Sequence, residues 1–216
     1  MDNTRDLRVL LTSRHPLIYV RTKEEDRFLG LLRLVAAEEG LPVWVWSPTS
    51  GLARDGADPQ YQTTALGAAL DFVGDLTQPA VFVLPDAESA LQDTTPLRRL
   101  KECAHAAKQL QTVIITGSRP TIPPEVADLA HAWTFGLPSR KDLRDLAART
   151  IDDFTIRGFK AEVTRQSLDA LAESLAGMTM REAERAIQRT IVEDGKFDSA
   201  DIETIRSVKA DLLNQD

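Results

Sequence analysis

The hydrophobic pattern changes character once along the chain. From Leu17 to Phe135, five short apolar runs alternate with stretches whose apolar residues recur at helical spacing, and beyond Leu137 only the helical spacing continues. The runs are Leu17–Arg21, Pro42–Trp46, Ala80–Leu84, Thr112–Thr116 and His131–Phe135, rich in β-branched and aromatic residues. Consecutive apolar positions within them suit strands covered by helices on both faces. Helices are predicted over Thr4–Ser13, with Leu7, Leu10 and Leu11 on one face, and over Lys23–Glu39, Thr63–Asp75 and Thr95–Leu110, with a short one at Pro124–Ala130. Residues 47–62, SPTSGLARDGADPQYQ, read as a long polar loop around Tyr61, and such loops often carry function. This order predicts a three-layer α/β domain on a five-stranded parallel sheet, residues 1–137.

Residues 138–216 predict helices alone. Ser139 with Asp142 opens a helix reaching about Arg157, and Thr179 with Glu182 forms a capping pair. Three amphipathic segments, 163–177, 179–195 and 198–214, complete a bundle too small for a large core of its own, so it is expected to dock on the sheet domain.

The first strand runs into its helix through Thr22-Lys23-Glu24-Glu25-Asp26. That junction is where an α/β nucleotide-binding protein places a glycine-rich loop whose N–H groups converge on phosphate. Here there is no glycine. Thr22 is placed as a helix N-cap, with Glu25 completing a capping box. Glu24, Glu25 and Asp26 each stabilise the helix start by about 0.3–1 kcal/mol. A triphosphate approaching to ~5 Å meets like charge costing about 3 kcal/mol per pair at an effective dielectric near 20, before screening. Lys23 offsets part of this.

The net charge of −7 disfavours a nucleic-acid-binding role, because such affinity rests on neutralising phosphates. Local basic groups at Arg98, Arg99 and Lys101, and at Arg140, Lys141 and Arg144, read first as solvated helix faces; the second group is also a candidate contact surface. One cysteine, Cys103, excludes an internal disulfide framework and suits a reducing cytoplasm, where its helical setting marks it as a buried thiol. No apolar run approaches the ~18 residues that cross a bilayer, and the charged N-terminus lacks a signal-peptide pattern. His15, His105 and His131 share no zinc-ligand spacing, and Trp44, Trp46 and Trp133 sit in strands as core residues. Carboxylates after the first strand, Glu24 and Glu25, and after the third, Asp86 and Glu88, leave open a Mg²⁺ site at the strand ends, as in a metal-dependent nuclease.

Five strands followed by a helical bundle resemble the AAA+ ATPase module, and several stretches carry the likeness. AVFVLPDAESAL (80–91) resembles a Walker B strand, although Pro85 precedes Asp86 and the usual Asp-Glu pair is absent. VIITGSRPTIPPEVADLAHAWTFGLPSRKDLRDL (113–146) is similar to the sensor-one strand, its loop and the final strand, with Ser118 near the sensor position. GMTMREAERAIQRTIVEDG (177–195) resembles the lid helix that carries the second sensor, Arg181 being the nearest candidate. Together with RHPLIYVRTKEEDR, PVWVWSPTSGL, TTALGAALDFV and the EAERAI…VEDGK helix, the chain resembles the degenerate N-terminal half of the AAA-type ATPases of chloroplast genomes, cyanobacteria and other bacteria.

The resemblance implies strand order 5-1-4-3-2 with a helical lid, no Walker A motif, and only relics of a site at Thr22, Lys23, Asp86, Ser118 and Arg181. It further implies no cofactor in this chain and ATP with Mg²⁺ in a parent protein. The implied role is contact or regulation rather than catalysis. The expected partners are a catalytic AAA+ module in cis or in trans and other subunits, a homo-oligomer included. A nucleotide-binding regulatory domain without a standard loop is the alternative.

Overall fold

In the computed structural model, described for residues 2–106, 111–161, 164–194, 196–197 and 201–213, the chain divides into two compact units, Met1–Gly136 and Leu137–Asp216. The first opens with α1 (Asn3–Thr12), β1 (Leu17–Arg21), α2 (Glu25–Glu38), β2 (Val43–Ser47) and β3 (Gly51–Arg54). There follow α3 (Leu66–Asp75), β4 (Ala80–Pro85), α4 (Thr94–Ala106), β5 (Gln111–Gly117) and β6 (Ala130–Thr134). The sheet runs β3-β2-β4-β5-β1-β6. In the numbering of the five predicted strands this is the expected order 5-1-4-3-2, every pairing among them being parallel.

The sheet corrects the expectation in one place. Its sixth strand among the described residues, β3, lies inside the segment read as a polar loop and pairs antiparallel with β2. Leu52 enters the core there, while Gly51 adopts φ +89 at the turn, a conformation open to glycine. Thr63 pins the return: its hydroxyl accepts from the Leu52 N–H and donates to the Gln60 carbonyl, each at 2.8 Å, and the Trp46 indole donates to the Thr63 carbonyl. Tyr61, 87% exposed, stands on this anchored segment. The helix expected at Pro124–Ala130 is instead a 3₁₀ turn, Pro124–Val126. Residues 107–110, the predicted end of α4, lie outside the described residues.

Strand alternation assigns side chains to two cores. Leu17, Tyr19, Phe82, Leu84, Val113 and Ile115 face α3 and α4, whereas Ile18, Val20, Val81, Val83 and Ile114 face α1 and α2. Trp44 and Trp46 are buried as expected, and Trp133 is half-buried. Cys103 is buried in α4, its thiol donating to the Leu70 carbonyl at 3.2 Å. His15 and His131, far apart in sequence, meet with ring centroids 4.8 Å apart, because β1 and β6 are neighbours.

The second unit contains α5 (Arg140–Ile156), β7 (Lys160–Ala161), α6 (Arg165–Leu175), α7 (Met180–Asp194), β8 (Lys196–Phe197) and α8 (Asp201–Leu213). The two short strands pair in parallel, a feature the helical pattern did not predict. Both capping pairs form, Ser139 with Asp142 and Thr179 with Glu182. Leu143, Ala147, Leu171, Leu175, Ile187 and Ile205 centre its own core. The predicted ends at residues 163, 195, 198–200 and 214 lie outside the described residues.

Candidate functional site at the sheet edge

Parallel strands bring the ends of β1, β4 and β5 and the start of α2 to one edge, where α/β proteins bind ligands. Thr22 continues the ladder past β1: its N–H donates to the Gly117 carbonyl at 2.8 Å. Its hydroxyl accepts from the Glu24 N–H at 2.9 Å, a turn closed two residues on. The capping box expected between Thr22 and Glu25 is therefore not formed. The ladder holds Thr22 upstream of a helix that starts only at Glu25, and Glu24, the N-cap residue, makes no side-chain cap bond.

The three acidic residues of the junction diverge. Glu24 turns toward Arg27, whose guanidinium meets its carboxylate at 2.8 and 3.0 Å, lies over the Phe135 ring at 4.1 Å and donates to the Gly136 carbonyl. Asp26 is exposed, as is Lys23. Glu25 instead faces the strand ends. Burial first, then the charges of Asp86 and Asp26, raise its carboxyl above the ordinary range, and the Thr116 hydroxyl beside it pulls back in part without a hydrogen bond of good geometry.

Asp86 follows β4 in a left-handed conformation, φ +46, with its N–H donating to the Thr116 carbonyl at 2.9 Å. Two residues on, Glu88 is raised by burial and then by Asp86, offset by the Thr121 backbone. One Glu88 oxygen is buried without a hydrogen bond. It lies so near Gly117 that a Cβ there would approach it to 2.9 Å. The Tyr19 hydroxyl is also buried and unpartnered, pushed well above the usual phenol range by burial and then by Glu88. Thr116, fully buried, adds a third unpartnered oxygen.

A cleft of about 390 Å³ opens at this edge, lined by Glu25, Asp86 and Ser89 together with Trp46, Pro48 and Pro85. A second hollow, about 320 Å³, lies toward β6 and is lined by Tyr19, Arg21 and Arg119 among others.

The edge thus gathers Thr22 and Asp86, with Ser118 exposed just past β5. Arg181 lies in the second unit, near the start of α7. Arg140 and Arg144 of α5 pair with Glu173 and Asp169 at 2.9 Å each, and Lys141 is exposed. Asp86 lies within electrostatic reach of both Glu25 and Glu88, whereas Glu24 turns away, so the four carboxylates of the Mg²⁺ reading do not meet as one group. Among the described residues no three acidic, histidine or cysteine side chains are arranged to hold a metal ion. The residues also do not fit a triphosphate: the Thr22 and Glu24 N–H groups are already used, and carboxylates face the opening. Sequence reasoning missed Tyr19, Thr116 and Arg27. The available signal was a polar-tipped side chain at an inward position of an apolar strand, since buried polar atoms call for partners.

The parallel order, the crossover helices and the helical second unit define an AAA+ fold. Solved structures agree: the FIGL-1 AAA domain has a TM-score of 0.63 at 11% identity, covering 96% of this chain and 80% of that one. Rhizobiales Trip13 has a TM-score of 0.58 at 14% identity, covering 94% and 86%. The Trip13-containing HORMA:CdnC:Trip13 complex of E. coli MS115-1 gives 0.58 at 12% identity, covering 96% and 85%. More narrowly, family models described as the N-terminal and second domains of SpoVK-like AAA ATPases match residues 3–135 and 141–216, and the chain belongs to that family. It is similar to the ycf46 AAA domain-containing proteins of Trieres chinensis, 26% identical over 214 residues, and Pyropia yezoensis, 25% over 219. These alignments cover 97% and 100% of the chain but only 42% and 44% of the relatives, so the chain spans under half their length. Among the described residues no helix is long and apolar enough to cross a membrane.

Proposed function

We propose that this chain is a AAA-like module that neither binds nor hydrolyses nucleotide and acts by contact, docking or regulating an ATPase module of its parent protein. The observation that carries this reading is the β1–α2 junction, where Thr22 and Arg27 close the helix mouth and Glu25 faces Asp86. ATP and Mg²⁺ belong, on this reading, to the rest of the parent, of which the relatives' greater length leaves room. The E. coli Trip13 neighbour, solved in a complex with other proteins, is a precedent for the fold in an assembly. The α5 residues Arg140 and Lys141, both exposed, and the half-buried Arg144 are candidate contacts, although two already hold ion pairs within their unit. Contact between copies of this chain is one form the role takes.

Calorimetric titration of the chain with MgATP tests the inert half of the proposal, and saturable binding tighter than about 100 μM would sink it. Sedimentation with the separately produced C-terminal module of the parent tests the other half. Association is expected, weakened by Arg140→Glu with Arg144→Glu if α5 is the surface.

A further inference from the structure

We propose that the hollow lined by Arg21 and Arg119 receives a carboxylate from an extended acidic segment of a protein partner, which pairs with the open edge of β6. The inference rests on the contact reading above and names one place where contact is made and the chemistry that makes it. This hollow is separate from the junction where a phosphate loop would lie. Tyr19, and by strand alternation Arg21, project on the sheet face covered by α3 and α4, whereas α2 packs on the other.

Two kinds of donor lining the hollow go unanswered within the chain. Among the described residues neither the Arg21 nor the Arg119 guanidinium holds an ion pair, although the chain has a net charge of −7. Tyr19, which lines the same hollow, is 1% exposed and its hydroxyl lacks a hydrogen-bond partner. Buried polar atoms without partners are uncommon in folded proteins. A carboxylate answers both: its two oxygens match the planar fork of a guanidinium and have lone pairs left for a phenol O–H. Pro120 and Ile122 add apolar wall for the methylene stem that carries it.

The edge strand beside the hollow selects an extended segment as the carrier. β6 ends the sheet, and among the described residues no strand lies beyond it. The Phe135 N–H donates to the Arg21 carbonyl at 3.0 Å, so alternate residues turn toward β1 while Ala132 and Thr134 present their backbone groups outward. Both are exposed, and both line the hollow. Natural edge strands are often blunted by lysine or proline, and Ala130-His131-Ala132-Trp133-Thr134 contains neither. An added strand lies about 5 Å beyond β6 and about 10 Å from β1. The small side chains of Ala132 and Thr134 leave the path between them open, and a glutamate and Arg21 reaching toward each other span it. Strand addition of this kind takes affinity from main-chain hydrogen bonds and specificity from side-chain pockets.

The test is NMR of the 216-residue chain titrated separately with a capped pentapeptide of valine and threonine around a central glutamate, its glutamine counterpart, inorganic phosphate and MgATP. The glutamine peptide keeps the shape and removes the charge. The expected result is a saturable shift and slowed hydrogen exchange at the Ala132 and Thr134 amides with the glutamate peptide. Binding should be at least about tenfold weaker for the glutamine peptide, and for the glutamate peptide in Arg21→Gln and Arg119→Gln. Both arginines are exposed, so these variants keep the fold. Tyr19→Phe removes only an unpartnered hydroxyl and should weaken binding severalfold without lowering Tm. Absence of a saturable shift, shifts without slowed exchange at those two amides, or an equal response to the glutamine peptide overturns the inference and leaves the contact role standing. So does unaltered affinity in any of the three variants, or phosphate binding as tight as the peptide's. Saturable MgATP binding overturns the contact role itself.

Discussion

Arg27→Ala tests the idea that the helix mouth is closed from within. The Glu24 side chain is only 8% exposed and Arg27 21%, so their pair is not the surface kind worth about 0–1 kcal/mol. Hydrogen bonds to charged groups contribute about 1.5–3 kcal/mol, and the guanidinium over Phe135 adds about 0.5–2. These contributions overlap, since one side chain makes all three contacts. The expected loss is therefore about 3 kcal/mol, or roughly 10 °C in Tm for a unit of this size. Urea unfolding followed by circular dichroism and tryptophan fluorescence measures it. Arg27→Lys keeps the charge but not the planar stack, and should recover only part. In the Glu24→Gln, Arg27→Ala cycle a coupling of at least about 1 kcal/mol is expected. A loss below about 1 kcal/mol, or additive single effects, would refute the bracketed junction.

The remaining predictions concern charge, the thiol and β3. Glu25 and Glu88 hold protons more tightly folded than unfolded, so the native state carries the extra protons across the window above the ordinary carboxyl range. Stability from these groups is full at low pH and declines as pH rises through that window. Glu25→Gln should flatten the decline and raise the urea midpoint at pH 7 while leaving it unchanged in acid; a steeper decline would contradict the sign. Cys103, buried and pushed up to about 11 by burial first and nearby Asp71 next, should react with a disulfide reagent only as fast as the domain opens. Rapid labelling of the native chain would place the thiol elsewhere. Thr63→Val removes the hydroxyl that serves Leu52 and Gln60, and should cost about 2 kcal/mol with NMR shifts concentrated at residues 51–61. Shifts spread over the sheet would argue against a local anchor.

Much of the fold was legible because burial imposes periodicity. Val81, Phe82 and Val83 are apolar at successive positions since both faces of β4 are covered, and Leu29, Leu32, Val35 and Ala36 recur on the side of α2 that meets the sheet. Gly51-Leu52-Ala53-Arg54 escaped notice because it is a short edge strand flanked by turn residues, with one inward leucine that the period of two cannot distinguish from a loop. Glu25, Asp86 and Glu88 were legible as acids after strands, since those positions necessarily reach the same edge. Which of them faces which was not.

The sequence by itself determined the succession of the five parallel strands and their main helices, the helix caps at Ser139 and Thr179, and the absence of a glycine loop at residues 22–26, all of which depend on neighbours within a few positions. Only the tertiary structure decided that Glu24 turns to Arg27 while Glu25 turns to Asp86, that Thr22 ends a ladder instead of capping a helix, and that the Tyr19 and Thr116 hydroxyls stand unpartnered beside carboxylates. The difference is physical: periodicity and capping are short-range, whereas the direction of a carboxylate is set by the charges and donors that distant strands bring to the same edge.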